Sequence, residues 1–276
     1  MAARVTALTY YPIKGCAGVT AEEVTLTPAG LAHDRSFMVV DEEGVFMSQR
    51  RDPRMALIRP EAGDGGARLR LRAPGIEVLD LDVDVSGARE RVELFGTPYL
   101  GIDQGPAAGR WLTHVLGQPS RLVRVPPEHH RVTSGRTPGT AGFSDSGAVL
   151  VVSCASLDRL NRRLADRGED PLPVSRFRPN IVVDGWDEPH TEDRAYAVTI
   201  GAAELGYAKI AIRCVVTTID QESGTKAGHE PLRTLAGYRR AAKGGVAFGA
   251  KYSVVTTGAV AVGDAVRVTA WGASEL

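Results

Sequence analysis

At 276 residues, with 43% hydrophobic and 24% charged side chains, the chain is long enough for one large or two ordinary domains and has the composition of a soluble globular protein. Thirty-three Lys and Arg balance thirty-three Asp and Glu, so net charge gives no reason to expect nucleic acid or an anionic membrane as a partner. Three cysteines at long spacings, Cys16, Cys154 and Cys214, form no zinc-type cluster, and no stretch approaches the roughly eighteen apolar residues of a membrane span. The reading is a cytoplasmic protein with reduced thiols.

From residue 4 to about 102 the pattern is one of short strands, over 5–10, 23–27, 35–40, 45–49, 55–59, 68–72, 76–81 and 91–95. Turn signals such as Thr27-Pro28-Ala29-Gly30 separate them, which suggests a barrel or a compact antiparallel sheet. A helix follows over 106–116, with Trp111, Leu112 and Val115 on its apolar face and Gly117 as its stop. A strand over 122–125 lies near the expected domain boundary, which divides the chain into 1–120 and 121–276.

Residues 130–147 are rich in Gly, Ser, Thr and Pro and read as a functional or mobile loop, a candidate lid. The second module opens on the apolar run 148–152. A helix capped by Ser153 or Ser156 carries Leu157, Leu160 and Leu164 at helical spacing and ends at Gly168. A strand over 177–183, a helix over 231–241 and strands over 246–255 and 265–269 complete the expectation.

Four polar islands interrupt this pattern where strands should be packing. They are Tyr11-Pro12-Ile13-Lys14-Gly15-Cys16, His33-Asp34-Arg35-Ser36, Arg176-Phe177-Arg178-Pro179-Asn180 and the run RCVVTTID, Arg213 to Asp220. Taken singly, each has a plain reading. Lys14 is a solvated strand-end lysine, Arg35 a partner for Asp34 or Glu22, Arg178 an edge charge, and Cys214 a thiol packed as a small hydrophobe. The histidines have no metal-type spacing.

Gathered around one cavity, Lys14, Arg35 and Arg178 make a phosphate or pterin pocket, and Asn180 offers a donor and an acceptor to a heterocycle. Cys214 in that field ionises readily and is a soft metal ligand. Strand alternation turns its neighbour Arg213 to the opposite face, away from the metal.

The motifs YPIKGCAGV and AHDRSFMVVDEEG resemble the N-terminal barrel of MOSC proteins. SDSGAVLVVSCASLDRLNRRL, FRPNIVV, RCVVTTIDQESGTKAGHEPLRTLAGYR and AFG resemble the MOSC domain itself, and the whole is similar to the mitochondrial amidoxime-reducing component and its bacterial relatives. The resemblance implies a mixed α+β, β-rich fold, in which an N-terminal β-barrel-like domain packs on a C-terminal MOSC β-barrel with a few helices. It also implies a molybdenum cofactor (Mo-molybdopterin) with Cys214 as metal ligand and catalytic residue.

On the same motifs Lys14 and Arg35 match positions that hold the cofactor phosphate, and Arg178 and Asn180 match a cofactor-contacting pair. Ser144, Asp145 and Ser146 approach the pterin from the lid side. Gly15 stands where many relatives have serine and leaves a backbone amide there, Lys251 stands where relatives often have tyrosine or asparagine, and Arg213 completes the cofactor-contacting set. Asp220 positions a proton or a loop, with a simple turn-forming role equally open.

The implied activity is reduction of N-hydroxylated compounds with electrons from a separate ferredoxin, flavodoxin or cytochrome-type protein. A cofactor carrier or sulfur-transfer protein using the same cysteine is the alternative. Neither the membrane anchor of the mitochondrial members nor the ferredoxin domain of some bacterial ones is expected with this chain.

Overall fold

The computed structural model of the chain describes residues 2–242 and 244–276. In the first half, β1 (Arg4–Tyr10), β2 (Ile13–Lys14), β3 (Val19–Ala21), β4 (Phe37–Val40), β5 (Arg89–Leu94) and β6 (Thr97–Asp103) precede helix α1 (Pro106–Leu116) and β7 (Arg121–Arg124). The second half adds β8 (Val149–Ser153), helix α2 (Cys154–Ala165), β9 (Ile181–Asp184), β10 (Ala195–Ile200), β11 (Ala203–Arg213), β12 (Val246–Thr256) and β13 (Val266–Trp271). Eight strands form one sheet in the order β13-β10-β11-β12-β8-β9-β1-β3, and five form another in the order β5-β6-β7-β4-β2. After β1 pairs with β9 in the larger sheet, the chain turns at Tyr11-Pro12 and β2 pairs in parallel with β4 in the smaller one. That crossing sets Lys14 between the two sheets.

The fold is mixed α+β and strand-rich, as expected, but the sheets do not close into barrels. Among the described residues a lone bridge, Arg4 to Ala265, joins β1 to the start of the last strand. The reason lies along one edge of β1. From Leu8 onward β3 occupies it, so the 263–266 turn can reach only residues 3–5.

Apolar strand faces fill two cores. Leu8, Val151, Ile181, Leu205 and Tyr252 belong to the one under the larger sheet, whereas α1 lays Trp111 and Leu112 against Ile13, Val39 and Leu122 of the smaller. Phe177 and Phe248 stack at 4.0 Å beside α2, each fully buried and contributing about 1.5–3 kcal/mol by transfer from water.

Helix α1 spans the predicted residues, opened by Pro106 and ended by Gly117 in the left-handed region. Ser153 is the cap of α2, its Oγ accepting from the Ser156 amide at 3.2 Å. Elsewhere local side chains override strand propensity. Asp52 accepts from the Arg54 amide and, with Pro53, turns the expected strand at 55–59 into a short 3-10 helix, Pro53–Leu57.

The run RCVVTTID is likewise not one continuous strand, only Arg213 and Ile219–Asp220 being extended and paired. β11 ends at Arg213 and Val215–Thr218 wind into a 3-10 turn, because Thr217 Oγ1 donates to the Cys214 carbonyl at 2.9 Å and Thr218 Oγ1 to that of Val215 at 2.8 Å. The helix expected over 231–241 shrinks to Leu232–Leu235, since the chain beyond Gly237 peels off to pair Arg240 with Val246. The strand expected over 177–183 begins only at Ile181, after Arg178 takes a left-handed conformation. Strands β10 and β11 fall where no strand is predicted before Arg213. No helix among the described residues is long and apolar enough to cross a membrane.

Candidate functional site

Between the two sheets lies a cleft that encloses about 930 Å³ measured out to its open mouth. Lys14, Gly15, Arg35, Ser144, Asp145, Arg178, Asn180, Arg213, Cys214 and Lys251 all line it, so the islands do converge. Ser146 stands just behind, accepting from Lys251 Nζ at 2.6 Å. Asp220 is not on the wall. Its carboxylate accepts from the Glu222 and Ser223 amides and from Arg176, which makes it the organiser of the turn that follows Cys214. Those hydrogen bonds, the Ser223 amide foremost, hold its carboxyl below the usual carboxylate range.

The arginines sit on constrained backbone. Arg35 (φ 47°) and Arg178 (φ 54°) are both left-handed, a conformation that costs a non-glycine residue on the order of 1–2 kcal/mol. Their guanidinium carbons each lie 4.2 Å from the centroid of the Tyr11 ring, which serves as a common platform. Arg35 Nη1 donates to Asp34 at 2.6 Å and to Asn180 Oδ1 at 3.0 Å. Arg178 donates to the Cys16 carbonyl at 2.6 Å and to Gln221 Oε1 at 3.0 Å.

Asn180 is 1% exposed and its amide is fully engaged by the protein. Nδ2 donates to the Thr9 carbonyl and to Asp34, while Oδ1 accepts from the Leu150 amide and from Arg35. Nothing is left to offer a heterocycle, so its part in the site is to orient Arg35 and Asp34.

Among the described residues the walls hold six cations, Lys14, Arg35, Arg50, Arg178, Arg213 and Lys251, against one carboxylate, Asp145. Burial lowers the pKa of Lys14 and of Arg178, takes Lys251 to about 8 and takes Arg213 to about 10. Against the desolvation that would raise it, Lys14 and Lys251 hold the Asp145 carboxyl well below its ordinary range. Lys14 pairs directly with Asp145, and Phe46 and Phe95 stand within 5.7 and 5.0 Å of its ammonium. A cleft in which four of the cations are desolvated and the cations outnumber the carboxylate on its wall is built to receive an anion.

Cys214 differs from the other two thiols. All three are free; Cys16 is fully buried, with its pKa raised to about 12 by burial, Cys154 is half-buried away from the cleft, and of the three only half-buried Cys214 lines the cleft. Because the strand ends beside it, alternation fails and Arg213 lines the same cavity instead of facing away. Arg213 is anchored by donating to the Phe177 carbonyl, and its Nε is buried without a partner. The lid segment is stitched down at several points, with the Arg136 amide on the Ala208 carbonyl, the Phe143 amide on that of Arg35 and Ser253 Oγ on that of Thr137.

Sequence reasoning passes over Tyr11 as platform and over Gln49 and Gln221. These two amides bond reciprocally at 2.9 and 3.1 Å, and Gln49 also donates to the Gly15 carbonyl at 2.7 Å. Tyr11 was within reach, since it opens the island containing Lys14.

Lys251 gives a test of the cleft electrostatics without any ligand. Its folded pKa lies below the unfolded value of a lysine, so between about 8 and 10.5 the unfolded chain binds more protons and folding strengthens as pH rises. Lys251→Met therefore raises the apoprotein melting midpoint by a few degrees at pH 7, and the advantage disappears above pH about 10.5. Thermal scans across that range check it; a constant difference shows that the ammonium is not desolvated.

The sequence matches the MOSC N-terminal beta barrel domain over residues 2–119 and the MOSC domain over residues 138–267. Mitochondrial amidoxime-reducing component 1 of Homo sapiens is 32% identical over 247 residues, which cover 86% of this chain and 72% of that protein. Mitochondrial amidoxime reducing component 2 of Rattus norvegicus is 34% identical, with 93% and 80% covered. Molybdenum cofactor sulfurase of Danio rerio is 31% identical over 89% of this chain, which corresponds to 31% of the sulfurase.

Proposed function

The chain belongs to the MOSC-domain family, and on that premise we propose that it is a molybdenum-cofactor-dependent reductase of N-hydroxylated compounds. The observation that carries the reading is the donor set of the cleft. Among the described residues no three His, Cys, Asp or Glu side chains gather to hold a metal, while one accessible thiol stands among six cations. Such a set suits a metal that arrives on its own sulfur-bearing, phosphorylated organic ligand and needs a single further thiolate.

Cys214 would supply that thiolate, and Lys14, Arg35 and Arg178 would hold the phosphate. When bound, the molybdenum centre supplies exchange of an oxygen atom and an electron pair with the substrate. The protein's share is geometric and electrostatic. The Tyr11 platform and the Asn180 amide fix the guanidinium planes, the Phe46 and Phe95 rings cover Lys14, and the segment around Ser144 and Asp145 closes the cleft from the side. Lys251, with a pKa near 8 and its ammonium on Ser146 Oγ, can hold or release a proton at neutral pH. Electrons come from a separate ferredoxin, flavodoxin or cytochrome-type protein.

Protein produced in a host that makes the cofactor should carry stoichiometric molybdenum and reduce an N-hydroxylated amidine with a reduced viologen dye. Absence of both metal and pterin fluorescence overturns the reading. The sulfurase relative favours a second one, in which Cys214 passes sulfur to the cofactor. Bound cofactor without dye-driven reduction, together with a persulfide on Cys214, decides for it.

A further inference from the structure

A single turn of 3-10 helix separates the cleft from the outer surface beside Cys214. Val216 and Thr217 line the cleft, whereas Val215 and Thr218 of the same turn line a groove on the outside. Lys226, His229, Leu232 and Arg233 complete that groove, and the three basic side chains among them are exposed. Among the described residues no carboxylate lines it. The acids nearest in sequence are engaged elsewhere: Asp220 by Arg176 and the turn amides, Glu222 by Arg59 at 3.1 Å, and Glu230 by the Thr234 amide at 2.9 Å.

Aliphatic groups complete the picture. Val215, next to Cys214 in the chain, is 48% exposed, and half-buried Leu232 lines the groove with it. An apolar centre, Val215 and Leu232, with a basic rim free of acids has the anatomy of a protein interface.

We propose that Val215, Lys226, His229, Leu232 and Arg233 form the docking face for an acidic one-electron carrier protein, an inference that rests on the reductase reading above. Charge selects this partner. The chain as a whole is neutral and exerts no general pull on anions, so a local patch without carboxylates chooses its partner by sign and steers it to this spot. Position selects it too, because Val215 adjoins Cys214 and the groove is the outer side of the turn that the cysteine opens. Two reduced carriers dock in succession and each leaves oxidised by one electron. With two protons taken up, the substrate N–O bond breaks, an N–H bond forms and the oxygen departs as water.

A reduced plant-type two-iron ferredoxin, an acidic protein, serves as probe against the holoenzyme. Calorimetric affinity falls at least about tenfold as salt rises from about 20 to about 200 mM. The K226E/R233E double variant loses about tenfold in ferredoxin affinity and gains as much in ferredoxin KM, with the dye-driven rate unchanged. R110E, a charge reversal at an exposed site on α1, moves neither quantity. No binding by the wild type, unchanged affinity in the double variant, or an equal loss in R110E overturns the docking face. Ferredoxin binding that depends on Lys226 and Arg233 without any dye-driven reduction sustains the face and overturns the reductase reading, so the two failures are separable.

Discussion

A Cys214→Ser variant purifies as folded protein but keeps less than about a hundredth of the wild-type molybdenum and of its dye-driven N-hydroxyamidine reduction, since even outer partners of metal ligands are worth 10–100-fold. The substitution is nearly isosteric. It also leaves the local fold intact, because the turn at Cys214 is held through its carbonyl, which accepts from the Thr217 amide at 3.1 Å and hydroxyl at 2.9 Å. What changes is the ability to ionise and the softness of the donor atom.

The other cysteines are the controls. Cys16 is sealed in the core and Cys154 packs near Thr6, away from the cleft, so Cys154→Ser keeps metal and rate. Metal analysis and circular dichroism on the same samples make the measurement. Full metal retention in Cys214→Ser removes the thiolate from the ligand set, and retained metal with lost persulfide chemistry turns the reading to sulfur transfer.

The convergence of Lys14, Arg35, Arg178 and Cys214 could be read from the sequence only through the motifs that carry them, because no periodicity relates residues so far apart. Where punctuation is local, as in Pro106 and Gly117 around α1, the residues suffice. They fail at RCVVTTID for an equally local reason. β-Branched Val and Thr predict a strand, yet the threonine hydroxyls bond back to the carbonyls of their own turn. That misreading reversed the side assigned to Arg213.

Closure into barrels failed on competition for one edge of β1, which involves residues from both chain ends. The Gln49 and Gln221 pair stands 172 positions apart and carries no sequence signal at all. Asn180 shows the limit most clearly: its residue type suggests a contact to a heterocycle, and only its four bonded neighbours reveal a positioning role.

Asn180→Ala is accordingly expected to weaken both the fold and the grip on the cofactor. The truncation strands the Leu150 amide and the Thr9 carbonyl in a buried setting and removes the neutral bridge between Arg35 and Asp34. At about 1–3 kcal/mol for each of the two buried groups left unpaired, the loss is about 2–6 kcal/mol against the roughly 5–15 kcal/mol stability of an ordinary domain. Cofactor content of the surviving folded protein falls about 10–100-fold, because Arg35 loses the partner that fixes its plane.

Asn180→Asp separates shape from charge. It keeps the acceptor for Leu150 and Arg35 but sets a second carboxyl against Asp34, whose pKa burial already raises despite Arg35. The new pair shares a proton, so its folded pKa lies above the unfolded value near 4. Stability relative to wild type is then nearest to normal at pH about 4 and declines as pH rises toward neutrality. Urea titrations of all three proteins at acid and neutral pH, with cofactor content measured alongside, make the test. A pH-independent deficit in Asn180→Asp, or full cofactor in a destabilised Asn180→Ala, would mean that the amide serves the core alone and that Arg35 is oriented by Asp34 and Tyr11 without it.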